Sequence, residues 1–514
     1  MKFGLRDWAT RDPDRIAAFC RGVGTSYGQL EETANRIAHL FRACGLQRGD
    51  HVAASVSNDP VVFALTWAAY RTGLYFTPIS SVGSSRDVAY LVENSDAKLV
   101  LIDAGLPGLA EQLPPLVASS PHWFSVGERV PGFTDLTEAL ADRPTHPVAD
   151  ESPGALMMYT SGTTGLPKGV WRPLPTDPEA PPPFAGDLLA LFDITAGSHY
   201  LSTAPLYHAA PLRFSLAFTA AGGTVHVMTK FDAAAALDEI ETAGITHSQW
   251  VPTMFQRLLA LPEERRARHS APAHRVALHG AAPCPAPVKR AMIDWWGPIL
   301  EEYYAGSESV GLCKLSSAEW LRKPGSVGRC VKGNLHILGD DWSELPPGPS
   351  GRIYFSGISR FEYYKAAEKT LERLSPQGYQ TFGDIGHVDE DGFLFLTDRQ
   401  DDMIISGGVN IYPQELEAAL MEDDAVADCA VVGLPDPEYG ERAVAFVVRR
   451  DGSLPDAEIV TQLQSHCTER LGRVKRPKEI RIVTEIPRTP TGKLQRRSLR
   501  DALSSAGSGE PRPN

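Results

Sequence analysis

The run from Tyr159 to Gly169, YTSGTTGLPKG, concentrates the residue types that hold an anion. Its glycines let backbone amides turn toward a ligand, its hydroxyls add donors, and Lys168 adds charge. A Walker A loop needs a second glycine before the lysine and a hydroxyl after it. Here Pro167 and Gly169 occupy those places, so the loop is of another kind. Four further runs carry chemistry-bearing residues at element ends. They are Ala204–Pro211 (APLYHAAP) with His208, Glu302–Glu308 (EYYAGSE), Thr381–Gly386 (TFGDIG) with Asp384, and Pro487–Arg497 (PRTPTGKLQRR) with Lys493. A carboxylate such as Glu308 suits a hard cation, and one such as Asp384 suits a vicinal diol.

In order and spacing these runs resemble the adenylate-forming superfamily of acyl- and aryl-CoA synthetases, luciferases and peptide-synthetase adenylation domains. The resemblance extends from residue 159 to residue 493 and is nearest to an acyl-CoA synthetase. It implies that Thr160, Ser161, Gly162, Thr163, Thr164, Gly165 and Lys168 cradle the phosphates of ATP. By the same likeness Gly280, Ala281 and Ala282, in the run His279–Pro283 (HGAAP), line the adenine and the acyl pocket. Tyr303, Tyr304, Ala305 and Gly306 continue that wall, Ser307 donates to the α-phosphate, and Glu308 holds Mg2+. The segment departs from the family's Y-G-x-T-E pattern at Ala305 and Ser307. Serine keeps the hydroxyl, and the alanine bears on substrate identity.

The resemblance further implies that Asp384 and Arg399 take the ribose and that Asp401 is a hinge. Gly407 and Gly408 would line a channel for the pantetheine arm of coenzyme A, where side chains would block passage. Lys493 would bridge the substrate carboxylate and the α-phosphate, removing the repulsion of two anions that must meet. His208 would shape the acyl pocket together with Ala209, Ala210, Trp250, Ala282 and Ala305. No acidic residue near Trp250–Phe255 offers to pair an amino-acid ammonium, which counts against an amino-acid substrate, and the small residues beside the site lead us to expect a bulky apolar acid.

Short apolar runs alternating with helical patterns must position these groups. Strands are expected at 51–57, 97–103, 198–204, 223–228, 245–251 and 275–279, with helices at 61–71 and 233–243. That alternation reads as βαβ units with largely parallel sheets. The proline-rich stretch 172–183 is expected as a surface loop. The C-terminal part reads as a small α+β unit, with helices at 413–421 and 457–470 and strands at 426–432 and 443–448. The expected division is 1–400 for the ATP- and acid-binding domain, 401–503 for a mobile lid carrying Lys493, and 504–514 as a disordered tail.

The chain has 514 residues, with 43% hydrophobic and 22% charged residues and a formal net charge of -13. Such a charge argues against a nucleic-acid or anionic-membrane surface. The seven cysteines are scattered without a CxxC pair, which reads as reduced thiols in a cytoplasmic protein. No apolar run reaches the length of a membrane span. Expected small-molecule partners are ATP, coenzyme A and a carboxylic acid. A carrier protein, a separate partner enzyme, or a second copy of the chain remain open as partners.

Overall fold

The computed structural model describes residues 4–500 apart from 161–165, 178–179, 181, 183–185, 400–401, 407–408, 438, 451–454, 473–474, 490–493 and 497. Of the expected site residues, Ser161 to Gly165, Asp401, Gly407, Gly408 and Lys493 lie outside the described residues. The backbone of Arg399 is described and its side chain is not.

Two sheets carry the large part of the chain. The first has six strands, ordered Thr134–Asp135, His122–Val126, Ala97–Asp103, His51–Ser55, Tyr75–Pro78 and Ala155–Leu156, all parallel. Every residue of its central strand His51–Ser55 is buried, as a strand covered on both faces requires. Helices Tyr27–Ala43 and Ser85–Asn94 begin with capping boxes, Ser26 with Gln29 and Ser84 with Asp87, which satisfy amides that open a helix.

The second sheet has thirteen strands and changes character along its width. Thr224–Val227, His199–Ser202, His247–Trp250, Val276–His279 and Leu300–Tyr304 are parallel neighbours. From Leu312–Ser316 onward the order continues through Ser326–Lys332, Leu394–Arg399, Asp384–Val388, Gly351–Ser356 and Asn334–Leu338, all antiparallel. The expectation of largely parallel sheets therefore describes one part of this sheet. Strands such as Leu312–Ser316 bury alternate residues, the pattern of antiparallel strands with one covered face.

The proline-rich stretch has no helix or strand among its described residues, yet it does not stand away from the surface. Leu174 is buried against Tyr75 and Met157. The hydroxyls of Tyr70 and Tyr75 donate to the carbonyls of Ala180 and Arg172 at 2.8 and 2.7 Å. It is strapped to the first sheet.

The C-terminal part builds its own sheet and core. Val426–Asp436 and Gly440–Arg449 form a long antiparallel pair, Ile404–Ser406 and Val409–Ile411 extend it, and Glu479–Ile482 joins in parallel. Helices Pro413–Met421 and Asp456–Arg470 bury Leu416, Leu420, Leu463 and Cys467 beneath it. The Asp398 carboxylate, at the end of the large sheet, accepts from the Gln414 amide at 3.0 Å. That bond ties the first turn of Pro413–Met421 to the larger part.

All seven cysteines are free thiols. Among the described residues, no helix is long and apolar enough to cross a membrane.

Candidate active site

The parallel strands His199–Ser202, His247–Trp250, Val276–His279 and Leu300–Tyr304 end at one edge, and the loops that follow them line one cavity. Its volume is about 1410 Å³, and His208, Gly280, Tyr304, Glu308 and Asp384 all border it. A crevice at the carboxyl ends of parallel strands is where open α/β sheets bind ligands.

The strands on either side of the phosphate loop pair with each other. Thr160 pairs with Lys168 and Tyr159 with Gly169, antiparallel. Both ends are pinned from the first sheet's helix Ser85–Asn94. The Tyr90 hydroxyl donates to the Pro167 carbonyl at 3.0 Å, and the Tyr159 hydroxyl donates to Asn94 at 2.7 Å. Lys168 places its ammonium 5.3 Å from the centre of the Tyr363 ring.

Past Leu300–Tyr304 the chain turns through Ala305 to Ser309, and Ser309 takes a left-handed φ of 50°. A non-glycine residue there is strained and persists where its surroundings over-determine it. Glu308 accepts from the Tyr363 hydroxyl at 2.7 Å. Arg172 donates to the Glu308 carbonyl, and Arg213 to the Ser309 hydroxyl. Gly306 is required by space, since a Cβ there would meet the Phe382 ring and lie 2.9 Å from Glu308 Oε2.

The Tyr304 hydroxyl donates to Asp384 Oδ2 at 2.5 Å, and the Phe382 ring meets that of Tyr304 edge-on at 5.5 Å. Gly383, at φ +88°, makes the turn before Asp384, and its amide donates to Thr381 Oγ1 at 2.9 Å. In the ladder Asp384 stands directly opposite Arg399, so the backbone register brings these two expected ribose contacts together. At the neighbouring strand end, a Cβ on Gly280 would come 2.7 Å from the Tyr303 carbonyl, and Ala281 takes φ 69°.

His208 ends its loop as the residue before helix Ala209–Ala221, with its ring 4.4 Å from that of Tyr207. Ala209, Ala210, Ala282 and Ala305 border the same cavity, with Phe214 and Tyr303 beside them. Trp250 also borders the cavity, but its indole is fully buried in the core, donating to Ser248 Oγ at 2.6 Å. Its neighbour Gln249 faces the other way. It accepts from Tyr200 and donates to Tyr303, both at 2.8 Å, which gives that wall a polar chain.

The described residues before and after Lys493 in sequence are held by ion pairs. Arg488 pairs with Asp428 at 2.7 Å, and Arg496 pairs with Glu417 at 2.7 Å and with Asp402 at 3.3 Å. Near the cavity, Cys313 stands opposite Cys330 across two strands. Hydrogen bonding from the Cys313 thiol holds Cys330 below, and Cys313 above, the usual thiol range.

Among the described residues no group of three or more metal-binding side chains occurs. Glu308 alone fits the way magnesium is held, by one or two carboxylates together with substrate phosphates. Its Oε1 is engaged by Tyr363, and it borders the same cavity as Lys168.

Three contributors escaped the sequence reading: Arg172, Arg213 and Tyr363. Arg213 carried a usable signal, being the one charged residue in the otherwise apolar helix Ala209–Ala221.

The family model for AMP-binding enzymes matches residues 5–365, and that for the AMP-binding enzyme C-terminal domain matches residues 415–493. A long-chain-fatty-acid–CoA ligase, FadD13, of Mycobacterium tuberculosis is 30% identical over 98% of each chain. A feruloyl-CoA synthase of an Amycolatopsis species is 31% identical, covering 97% of this chain and 98% of its own. The crystal structure of ATP-bound MatB from Rhodopseudomonas palustris superposes with a TM-score of 0.83 at 27% identity, covering 98% of this chain and 100% of its own.

Proposed function

Because the chain belongs to the AMP-binding enzyme family, we propose that it activates a carboxylic acid with ATP and transfers the acyl group to coenzyme A. The first half-reaction gives an acyl-adenylate and pyrophosphate, and the second gives a thioester and AMP. The observation that carries this reading is the meeting of Lys168, Tyr304, Glu308 and Asp384 around one cavity with an apolar flank. Two relatives over the whole length are named for coenzyme A.

In this scheme Asp384 and Arg399 hold the ribose, Tyr304 lies against the adenine, and the 160–168 loop holds the phosphates. Glu308 would hold a magnesium ion, which neutralises phosphate charge while pyrophosphate leaves. The acid lies along Ala209, Ala210, Ala282 and Ala305, with His208 beside its carboxylate. Lys493 reaches between carboxylate and α-phosphate, stabilising charge as the acid oxygen attacks in line. The unit 401–503 then turns about Asp401 and brings Gly407 and Gly408 to the thiol path. Small side chains along the wall favour an acid with a bulky apolar body. The free, scattered thiols favour the cytoplasm as its place of work.

The test is incubation with ATP, Mg2+ and a mixed acid library, with and without coenzyme A, followed by mass spectrometry. Acyl-CoA formed only when coenzyme A is present is the expected result and names the acid. Acyl-AMP that accumulates while coenzyme A stays untouched would point to a carrier protein or partner enzyme as acceptor. Lys493→Ala is expected to abolish adenylate formation and to spare thiol transfer from supplied acyl-adenylate. Equal loss of both would overturn the two-position scheme.

A further inference from the structure

Two partly buried guanidinium groups grip the backbone around Glu308. Arg172, just past the strand Lys168–Trp171, donates through Nη2 to the Glu308 carbonyl and, at 3.4 Å, to the Ser309 carbonyl. Arg213 donates through Nη1 to the Ser309 hydroxyl and through Nη2 to the Ser307 carbonyl at 3.5 Å. Ser307, Glu308 and Ser309 thus each give an oxygen to an arginine, and the left-handed Ser309 sits between the two.

The Glu308 carboxylate, by contrast, accepts from Tyr363. This division of labour is unusual in cost. Both arginines are partly buried where they make these bonds. Two like charges are thus held partly out of water beside one loop, which has a cost in solvation. A neutral donor could hold a carbonyl without that penalty. Cations that grip the backbone fix its course while leaving the carboxylate oxygens to other partners.

Resting on the acid-activation reading above, we propose that Arg172 and Arg213 are positioning residues that set the Ser307–Ser309 backbone, so that the Glu308 carboxylate is presented to a divalent cation bound with the nucleotide. Tyr363 completes the arrangement by fixing one carboxylate oxygen and turning the other toward the cavity. Arg213 also links this loop to His208, since both belong to the helix start that borders the acid, five positions apart in sequence.

The test uses the full chain with a non-hydrolysable ATP analogue and Mn2+, whose free concentration is read by electron paramagnetic resonance. Arg213→Met and Arg172→Met are expected to weaken Mn2+ binding by the enzyme–nucleotide complex about tenfold, the scale of one charge-assisted hydrogen bond. Nucleotide affinity measured in chelator should change by less than about threefold, and the lysine variants should recover part of the loss. Ser309→Ala, which removes one acceptor and no charge, is expected to weaken Mn2+ about threefold and guards against variants that do not fold. Unchanged Mn2+ affinity with a raised KM for the acid would overturn the proposal and make the arginines readers of the acid. Equal loss of nucleotide binding with and without metal would overturn it too. A wild-type protein that binds no nucleotide at all would instead remove the functional reading beneath it.

Discussion

The hydroxyl of Tyr304 donates to the Asp384 carboxylate across 2.5 Å, joining the last residue of one strand to the first residue of another 80 positions on. A carboxylate has about four acceptor sites, so Asp384 can keep this bond and still receive a diol. The contact orients Asp384 before any ligand arrives. Tyr304→Phe is therefore expected to raise the KM for ATP about tenfold, with the KM for the acid nearly unchanged. Pyrophosphate exchange at varied ATP measures it, and an unaltered ATP dependence would refute the preorganising role.

Buried histidines make the fold sensitive to acid. Desolvation brings His51 and His247 down to about 4 and His274 to about 3. Unfolded, each regains a value near 6.5, so between about pH 6.5 and 4 the unfolded chain binds more protons than the folded one. Stability is full above that window and is lost as the pH falls through it. His51 stacks on Tyr75 at 4.7 Å, and His51→Phe keeps a ring there while removing a titrating group. The drop in melting temperature from pH 7 to pH 5 should be smaller in that variant, as differential scanning calorimetry would show; an equal drop would contradict the assignment.

Cys330 should be the first thiol to react. Its partner Cys313 is buried and raised, and the hydrogen bond between them lowers Cys330. The thiolate is the nucleophile, so iodoacetamide at neutral pH is expected to label Cys330 ahead of the other six cysteines. Cys313→Ala should slow that labelling. Peptide mapping decides the matter, and prior labelling at another site would count against it.

Arg496 is nearly buried between Glu417 and Asp402, and also donates to the Val431 carbonyl at 3.1 Å. Removing one member of a buried ionic group leaves the others uncompensated, at a cost of about 3–5 kcal/mol. Arg496→Met is expected to destabilise the C-terminal unit by about that much. Hydrogen exchange along Val426–Asp436 should quicken, while His51–Ser55 keeps its protection. Equal loosening of both sheets would mean that the two parts unfold together.

Sequence patterns revealed elements wherever the signal was local. Val61–Arg71 and Pro413–Met421 begin and end where their apolar spacing predicts, and Ala97–Asp103 reads as the continuous apolar run of a covered strand. The antiparallel half of the large sheet was less legible, because its strands alternate exposure and its neighbours are distant in sequence. The same limit hid Arg172, Arg213 and Tyr363. As isolated letters they read as a solvated charge or a core ring, and they become a group only when the fold brings residues 172, 213, 308 and 363 together. Trp250 shows how position and packing combine. It borders the cavity as expected, yet its indole packs into the core and bonds Ser248, while Gln249 before it reaches Tyr200 and Tyr303.

The ion pairs of Arg496 also constrain how this chain could be recombined with relatives. Asp402 precedes the region that matches the C-terminal family model at 415, yet it belongs with Arg496. A crossover placed at 415 would inherit Asp402 from one parent and Arg496 from the other, and would depend on both parents sharing the pair. A crossover between residues 400 and 401 carries Asp402, Glu417 and Arg496 in one cassette. The seam of a working hybrid is thus set by a charge cluster rather than by where the recognisable homology starts.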